Sequence, residues 1–356
     1  MKKVLIAMSG GVDSSVAAHI LKENNYDCIG AMMKLYADEN DTVPSNDRGC
    51  CSLADAEDAR AVATALGIPF FVFNFTDSFG AQVIERFIDA YRWGRTPNPC
   101  IDCNRFMKFE KMLTRATELD ADYIATGHYA QVVQDPSGRF LLKRSVDTGK
   151  DQTYVLYAMT QPQLARTLFP IGGLTKDEVR AIAAKLSFAT ADKRDSQDIC
   201  FAPDGDYAGF IRRYTGLAGE EGDFISPDGQ ILGRHKGIIH YTIGQRKGLG
   251  LHGPTPQYVS VIDPVANTVT VGPSDELFAS ALTAREINLI PMAKLDGPLN
   301  VQAKIRYSHP ATPAKVWQTG PDELHVEFKT PQRAITPGQA VVLYDGDIIV
   351  GGGTIV

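Results

Sequence analysis

A short stretch near the start of the chain, residues 9–15 (Ser-Gly-Gly-Val-Asp-Ser-Ser), combines two glycines, three hydroxyls and one carboxylate. The apolar run at residues 4–8 predicts a buried strand before it, and apolar residues at helical spacing predict a helix after it. A strand, a glycine turn and a helix direct backbone N–H groups and a positive helix end toward an anion. The hydroxyls of Ser9, Ser14 and Ser15 can reach phosphate oxygens, and Asp13 indicates a bound cation such as Mg²⁺. The stretch therefore predicts a phosphate site.

Known phosphate loops are distinguished by their lysine and glycine spacing. Residues 9–15 lack the lysine of G-x-x-x-x-G-K-[ST] and do not match G-x-G-x-x-G. The stretch resembles instead the pyrophosphatase loop of enzymes that split ATP into AMP and pyrophosphate. The alternative is a plain glycine turn in an α/β protein. The three hydroxyls and the flanking strand and helix favour phosphate binding.

A second stretch, residues 94–109, carries the motif Cys100-x-x-Cys103. Pro97 and Pro99 predict an extended loop over residues 94–102, with Cys103 near the start of the following helix. A thiol at a helix start, with basic residues nearby, forms the nucleophilic thiolate more readily. The same spacing also suits a dithiol redox motif or half of a metal site. Cys50 and Cys51 could complete a metal site, although an adjacent pair is a poor zinc spacing.

The third stretch is residues 195–203, Asp-Ser-Gln-Asp-Ile-Cys-Phe-Ala-Pro. Its Cys200 lies in a predicted loop among acidic and apolar residues. Taken alone, Cys200 is expected to be a buried packing cysteine.

Composition sets broad limits on the kind of protein. A chain of 356 residues allows two or three domains, and 44% hydrophobic with 22% charged residues is ordinary for a globular protein. There is no apolar run of about 18 residues, and the Lys2-Lys3 start does not continue as a signal peptide. We therefore expect a cytoplasmic protein without a membrane partner. The net charge of −6 argues against general nucleic-acid coating, so DNA is not expected.

The first third of the chain alternates predicted strands with predicted helices, which indicates a mostly parallel sheet with helices on both faces. Ligands in such folds bind beyond the carboxyl ends of the strands. The loop at 9–15, Met33 and the Gly127-His128 pair all lie at the ends of predicted strands, so we expect them to share one pocket.

Strand and helix signals become less regular after residue 139. Thr175 and Glu178 predict a capped helix. Beyond residue 222, short β-like runs broken by Gly, Pro and Asp indicate a small β-rich domain and a terminal barrel, with a break near residues 280–285. The expected domains are residues 1–205, 206–280 and 281–356.

Taken together, these features resemble the tRNA-specific 2-thiouridylases, which thiolate the wobble uridine of certain tRNAs. The motifs that carry the resemblance are spread over most of the chain: residues 9–15, 95–104 (Arg-Thr-Pro-Asn-Pro-Cys-x-x-Cys-Asn), 125–129 (Ala-Thr-Gly-His-Tyr), 150–154 (Lys-Asp-Gln-Thr-Tyr), 195–201 and 242–250 (Thr-Ile-Gly-Gln-Arg-Lys-Gly-Leu-Gly). The loop alone identifies only the wider superfamily, whereas the two cysteine motifs make the match specific.

The resemblance implies an adenine-nucleotide alpha-hydrolase-like α/β domain, a central β-rich tRNA-binding domain and a C-terminal β-barrel. It implies Cys103 as nucleophile, Cys200 as persulfide carrier, ATP and Mg²⁺ as cofactors, and tRNA plus a persulfide-donating sulfur carrier or cysteine desulfurase as partners. Some relatives carry Asp where this chain has Cys100, so a carboxylate role there is not carried over.

The residues expected to bind ligands fall into two groups. Those expected at ATP are Ala7, Met8, Ser9, Gly10, Gly11, Val12, Asp13, Ser14, Ser15, Met33 and Gly127, with Asp13 also as metal ligand. Those expected at tRNA are Asn98, Pro99, Cys100, His128, Lys150, Asp151, Gln152, Arg306, Tyr307 and Gln339. Basic clusters at residues 212–213, 234–236, 246–247 and 304–309 are further candidates for RNA, or else ordinary solvated surface.

Two rival functions remain open from the sequence. One is another AMP-forming enzyme with the same loop, acting on a small carboxylate or carbonyl. The other is a redox or metal-binding module, including an iron–sulfur site near Cys103 and Cys200. The first leaves both cysteines without a role.

Overall fold

The computed structural model describes residues 1–36, 53–191, 193, 199–217, 219–251 and 255–356. The sequence also predicts a loop over residues 38–50 and a helix start at Ser52. Both of these, together with Cys50 and Cys51, lie outside the described residues. The chain divides into two compact units. The first contains Met1–Val83, Cys100–Gly205 and Gly346–Val350, and the second contains Ile84–Pro99, Asp206–Asp345 and Gly351–Val356.

The strands of the described residues are numbered in chain order: β1 (Lys3–Ala7), β2 (Asp27–Lys34), β3 (Phe70–Asn74), β4 (Tyr123–Thr126), β5 (Ala130–Gln134), β6 (Phe140–Arg144), β7 (Thr167–Leu168), β8 (Gly222–Ile225), β9 (Ile231–His235), β10 (Tyr258–Asp263), β11 (Thr268–Gly272), β12 (Phe278–Leu289), β13 (Leu299–Lys304), β14 (Thr312–Gly320), β15 (Glu323–Arg333), β16 (Ala340–Asp345) and β17 (Ile348–Ile355).

The α-helices of the same residues are α1 (Val12–Glu23), α2 (Leu53–Ala65), α3 (Thr76–Phe79), α4 (Glu85–Arg92), α5 (Pro99–Asp102), α6 (Met112–Glu118), α7 (Gln161–Ala165), α8 (Lys176–Lys185) and α9 (Tyr207–Thr215). Two segments, Gly80–Ile84 and Cys103–Lys111, are π-helical, and Thr153–Leu156, Ile238–His240 and Ser274–Leu277 form 3₁₀ turns. No helix in the described part of the chain has the length and apolar character needed to span a membrane.

The first unit is built on a five-stranded sheet in the order β3-β2-β1-β4-β7, in which every neighbouring pair is parallel. Val4, Leu5 and Ile6 of β1 are fully buried because both faces of the central strand are covered. Val12, Val16 and Leu21 of α1 lie in the same core. The parallel α/β domain expected from the sequence is confirmed.

Two antiparallel strands, β5 and β6, complete the strands of the first unit. Strand β6 pairs with Ile348, which belongs to the same unit. Neither strand is among the elements expected from the sequence.

The second unit contains two antiparallel or mixed β structures. Strands β10, β11, β8 and β9 form a four-stranded sheet in that order, with Phe224, Val259 and Val269 fully buried in its core. Strands β12, β15, β14, β13, β16 and β17 follow one another, and β12 pairs back onto β17, which closes a barrel. The small β-rich domain and the C-terminal barrel expected from the sequence are confirmed.

Residues 280–285, where the sequence predicts a domain break, lie within a strand. Strand β12 runs without interruption through residues 280–285, where the sequence analysis placed a break in texture. The expected boundaries after residues 205 and 280 stay predictions.

Candidate active site

The loop at residues 9–15 joins β1 to α1 at the carboxyl end of the sheet. Gly10 has φ of 71°, and a Cβ there would lie 2.3 Å from the carbonyl oxygen of Asp55, so only glycine fits. Gly11 is the N-cap of α1, and its missing side chain leaves the helix end uncapped. The first N–H groups of an α-helix lack intrahelical partners, so α1 directs them and its positive end into the loop. This is the anion-binding geometry that the sequence predicts.

The three hydroxyls of the loop have different environments. Ser14 and Ser15 are buried and donate to the carbonyl oxygen of Gly11 at 3.1 Å and 2.9 Å. Ser15 also accepts from Thr190 Oγ1 at 3.1 Å. Ser9 is exposed, and its Oγ lies 3.4 Å from that of Ser14. Ser14 and Ser15 therefore shape the loop, and Ser9 is the loop hydroxyl best placed to meet a ligand.

Three strand ends meet around this loop. Strand β1 pairs with both β2 and β4, so Met33 near the end of β2 and Gly127 just after β4 flank the loop. A Cβ on Gly127 would lie 2.6 Å from the backbone nitrogen of Ser14, so the two backbones are in direct contact. The structure thus brings Met33 and Gly127 to the loop as expected. Their contact with ATP stays a prediction.

Asp13, in the first turn of α1, forms an ion pair with Lys176 at the start of α8. Lys176 Nζ lies 2.8 Å from Oδ1 and 2.9 Å from Oδ2 of Asp13. The hydroxyl of Tyr129 donates to the same Oδ1 at 2.8 Å. Sequence reasoning missed Lys176, although the capping box formed by Thr175 and Glu178 marks it as the first residue of its helix.

Asp13 is the carboxylate of the loop that could meet a cation. Among the described residues, no cluster of three or more His, Cys, Asp or Glu side chains could hold a metal ion. Mg²⁺ is commonly held by one or two carboxylates together with phosphate oxygens and waters. The donor set therefore fits a Mg²⁺ held chiefly by nucleotide phosphates. Asp13 as its protein ligand stays a prediction.

A second lysine, Lys193, ties the loop to α2, which carries Asp55 and Asp58. Its Nζ donates to the carbonyl oxygen of Gly10 at 3.1 Å, to Asp55 at 2.6 Å and to Asp58 at 2.7 Å. Burial lowers the pKa of the Lys193 ammonium, but the hydrogen bonds to Asp55 and Asp58 outweigh it and leave the pKa raised. Lys193 is therefore charged at neutral pH.

Cys103 lies one turn inside a helical segment that begins at Pro99. Helix α5 is followed directly by the π-helical segment Cys103–Lys111 and then by α6. Proline is favourable at the first helical position because its missing N–H would have no helical partner there. The expected loop over residues 94–102 with a helix start near Cys103 is thus wrong by about one turn. Cys100, which is exposed, occupies the first turn, and Cys103 is partly exposed.

The π-helical segment changes which side chains face the core. The backbone N–H of Met112 bonds to the carbonyl of Met107, five residues back, and both side chains are fully buried. The spacing of apolar residues from Phe106 to Ala116 predicts that Phe106 lies on a buried helical stripe, but Phe106 is only partly buried. Asn104 is buried instead and donates to the carbonyl of Val155 at 3.2 Å. Such segments are frequent at functional sites because they redirect side chains.

Cys200 lies in a turn beside a buried aromatic residue. Phe201 is 1% exposed and packs edge-to-face on Phe79 at a centroid distance of 6.0 Å. Helix α3, which ends at Phe79, packs on the segment that begins at Cys103. Cys200 itself is partly exposed, so the expectation of a buried packing cysteine is wrong. Residues 194–198, which precede it, lie outside the described part of the chain.

Comparison with known proteins identifies the family. A model described as the tRNA methyl transferase HUP domain matches residues 2–204, its PRC-barrel counterpart matches residues 208–273, and an aminomethyltransferase beta-barrel model matches residues 279–355. A curated protein of Lachnoclostridium phytofermentans, tRNA-specific 2-thiouridylase MnmA, is 52% identical over 100% of both chains. The protein of the same name in Clostridioides difficile is 52% identical over 99% of this chain and 98% of its own length. The chain belongs to the tRNA-specific 2-thiouridylase family.

A solved 4-thiouridine synthetase–RNA complex with bound ATP is a more remote likeness. It is 16% identical to this chain, the match covers 57% of this chain and 45% of that one, and the TM-score is 0.36. So low a score carries no argument about function. The family assignment depends on the full-length relatives.

In this 2-thiouridylase family member, the residues expected to contact tRNA after β6 lie in a closely bonded loop. Gln152 accepts from the backbone N–H of Tyr129 at 2.9 Å and donates its own backbone N–H to the Tyr129 carbonyl. Asp151 accepts from the backbone of Ser145 and from Thr153 Oγ1. Because Tyr129 also bonds to Asp13, this loop is connected to the nucleotide loop. Contact of Lys150, Asp151 and Gln152 with tRNA stays a prediction.

His128 is buried, and its expected contact with tRNA stays a prediction. It is 6% exposed, its Nδ1 lies 2.6 Å from Thr126 Oγ1, and its Nε2 lies 3.3 Å from Lys108 Nζ. Burial, together with the positive charge of Lys108, holds the pKa of His128 well below its usual value. The imidazole is therefore neutral, and Lys108, on the Cys103 segment, meets its unprotonated Nε2.

Two residues of the second unit that are expected to contact tRNA, Arg306 and Gln339, form hydrogen bonds within the protein. Arg306 donates to the Ala334 carbonyl and to Thr336 Oγ1, the latter at 2.8 Å. Tyr307 is 44% exposed, and Lys304 Nζ lies 5.4 Å from the centroid of its ring. Gln339 is engaged with the backbone of Thr96. Whether Arg306, Tyr307 and Gln339 contact tRNA stays a prediction, as it does for Asn98, Pro99 and Cys100.

Proposed function

We propose that this chain catalyses the ATP-dependent 2-thiolation of the wobble uridine of tRNA. The observation that carries the proposal is that one compact unit holds both the loop at residues 9–15 and two partly exposed cysteines, Cys103 and Cys200. Relatives named tRNA-specific 2-thiouridylase, matched over their whole length, support the substrate and the reaction. The cysteines also favour thiolation over the methyl transfer named in the family models, since methyl transfer needs no sulfur carrier.

The first step activates the base. The C2 oxygen of uridine belongs to a urea-like carbonyl and is a poor leaving group. Attack of this oxygen on the α-phosphate of ATP forms an O–P bond, breaks the bond to the β-phosphate and releases pyrophosphate. The N–H groups at the start of α1 would stabilise the charge on the departing pyrophosphate. Mg²⁺ bound with the nucleotide would supply further charge neutralisation there.

The second step delivers sulfur. The terminal sulfur of a Cys200 persulfide forms a bond to C2 and AMP leaves with the oxygen. The Cys103 thiolate then attacks the Cys200 sulfur, so that the S–S bond breaks and its electron pair stays on the sulfur now carried by C2. The products are 2-thiouridine and a Cys103–Cys200 disulfide, which a thiol reductant must reduce before the next turnover. A persulfide-donating sulfur carrier or a cysteine desulfurase recharges Cys200.

The three expected domains would have different roles, and the protein would act in the cytoplasm. Residues 1–205 would form the catalytic domain, residues 206–280 a central tRNA-binding domain and residues 281–356 the barrel. Asn98, Pro99 and Cys100 would contact the target base, and the exposed Tyr307 offers a ring for stacking on an unpaired base.

The direct test incubates the full chain with ATP, Mg²⁺, a persulfide donor and tRNA lacking the modification. We expect thiolated wobble uridine together with AMP, both dependent on tRNA. Cys103→Ser and Cys200→Ser should each abolish thiolation while binding of ATP persists. Cys28→Ala, which alters a buried cysteine of β2, is the matched control and should retain activity.

Other outcomes discriminate the rival functions. Full thiolation by either Cys103→Ser or Cys200→Ser overturns the two-cysteine scheme. AMP formation that responds to a small carboxylate and ignores tRNA supports an AMP-forming ligase instead. Iron and sulfide in protein purified without oxygen, lost in both variants, would support an iron–sulfur site.

A further inference from the structure

Lys176 places an ammonium group beside the nucleotide loop, although 163 residues separate it from Asp13 in the chain. Its side chain is 9% exposed, compared with 30% for Asp13, so the ammonium is largely removed from water while the carboxylate still reaches solvent. The Nζ also lies over the ring of Tyr129, 5.7 Å from its centroid. A buried charge is costly unless it is paired. Asp13 supplies the opposite charge, and the Tyr129 ring adds a cation–π contact.

The starts of the two helices that meet at this pair differ in their capping. At α8, the N-cap Thr175 accepts from the backbone N–H of Glu178, and the backbone N–H of Lys176 donates to Asp147 Oδ2 at 3.0 Å. At α1, the N-cap is Gly11, which offers no side chain. The N–H groups of Lys176 and Glu178 at the start of α8 are therefore satisfied by side chains of the protein, whereas the N-cap of α1 offers no side-chain partner.

The charges near the start of α1 decide whether this ligand can be an anion. A helix amino terminus carries roughly half a positive charge, which the full negative charge of Asp13 would outweigh. Without Lys176, the local field would therefore repel phosphate. With Lys176 bonded to Asp13, the two side chains cancel and the positive helix end prevails.

Lys193 cannot replace Lys176 in this role. Its ammonium is bonded to two carboxylates, those of Asp55 and Asp58, and to the Gly10 carbonyl. Lys193 and its two partners together carry a net negative charge. Of these two lysines, Lys176 is therefore the one whose charge favours an anion at the start of α1.

We propose that Lys176 is a phosphate-binding residue of the nucleotide site, and that Asp13 and Tyr129 hold its ammonium in place. The inference rests on the proposed ATP-dependent function and deepens it. A distant helix supplies the lysine that the loop at residues 9–15 lacks. The ligand class is a nucleoside triphosphate or the pyrophosphate released from it.

Calorimetric titration of the full chain tests this proposal with inorganic pyrophosphate, a non-hydrolysable ATP analogue and adenosine. Lys176→Met should weaken binding of pyrophosphate and of the analogue at least tenfold and leave adenosine affinity within twofold. Lys176→Arg, which keeps the charge, should restore most of the loss. Lys185→Met removes an exposed lysine from the other end of α8 and is the matched control.

Removing Lys176 leaves Asp13 without its ion pair, so the single variant could fail to fold. The double variant Asp13→Asn with Lys176→Met removes both charges and avoids that penalty. It should fold. Its local charge balance matches that of the natural chain, but the ammonium that binds phosphate is absent, so pyrophosphate should still bind at least threefold more weakly than to the natural chain. Pyrophosphate affinity within twofold of the natural chain, in either folded variant, overturns the role of Lys176. Failure of the natural chain to bind the ATP analogue would instead overturn the proposed function.

Discussion

Gln339 donates its side-chain amide to the carbonyl oxygen of Thr96 at 2.8 Å, across 243 residues of sequence. The backbone N–H of Thr96 donates to the Pro337 carbonyl at 2.9 Å, and its hydroxyl donates to Thr242 Oγ1 at 3.2 Å. Both sides of the Thr96 peptide and its side chain are therefore fixed within the second unit. Because Asn98 and Pro99 follow within three residues, Gln339 positions the segment expected to contact the target base.

Replacing Gln339 should loosen this segment without unfolding the protein. Gln339→Ala removes one hydrogen bond, so we expect the free energy of unfolding to fall by about 1 kcal/mol. Thiolation should fall through a raised KM for tRNA, while ATP affinity is unchanged. Chemical denaturation and steady-state thiolation measure the two effects.

The control for this substitution is Gln302→Ala, which alters an exposed glutamine on β13. It should change stability by less than about 0.5 kcal/mol and leave the KM for tRNA unaltered. An unchanged KM in Gln339→Ala would show that Gln339 does not position the base-contacting segment.

Gly127 lies against the first turn of α1 so closely that a methyl group has no space. A Cβ would lie 2.6 Å from Ser14 N and 2.7 Å from the carbonyl carbon of Asp13. Gly127→Ala should therefore destabilise the protein by about 1–3 kcal/mol. It should also weaken binding of an ATP analogue, because the clash displaces the N–H groups of α1. Thermal unfolding and calorimetry measure these changes.

Gly173 provides the comparison for Gly127, since a Cβ there would meet nothing within 4 Å. Gly173→Ala should leave both stability and ATP affinity close to those of the natural chain. Equal behaviour of the two alanine variants would mean that the loop at residues 9–15 adapts to the added methyl group.

Much of the first unit follows from local sequence pattern. Apolar runs and helical periodicity predict β1, α1 and β4 because each element lies within one short segment. The capping box at Thr175 is likewise local, and the structure confirms both of its hydrogen bonds.

The sequence does not predict contacts between residues that are far apart in the chain. Nothing near Asp13 in sequence indicates Lys176, and nothing near Thr96 indicates Gln339. Closure of the barrel by pairing of β12 with β17 is equally remote in sequence. The π-helical segment Cys103–Lys111 could not be predicted for another reason. The periodicity argument applies to α-helices with 3.6 residues per turn and does not detect a π-helical segment.

The buried His128 should make stability sensitive to acid. Burial, reinforced by Lys108, lowers its pKa in the folded chain, whereas the unfolded chain binds a proton at about pH 6.5. The stabilisation is therefore complete above pH 6.5 and is lost as the pH falls below it. The free energy of unfolding, measured by denaturant titration from neutral to mildly acidic pH, should decline. His128→Asn should show a smaller decline, and an identical decline in both proteins would exclude His128 as its source.

The cysteines should differ in their reaction with an alkylating reagent. Cys28 is 2% exposed, and burial raises the pKa of its thiol to about 11, so almost no thiolate forms near pH 8. Cys100 is exposed in the first turn of α5, so the reagent can reach its thiol. Brief treatment of the folded protein with iodoacetamide, followed by peptide mass spectrometry, should therefore label Cys100 well before Cys28. In denaturant the two should react at similar rates. Rapid labelling of Cys28 in the folded protein would mean that β2 opens readily, contrary to its place between β1 and β3 in the parallel sheet.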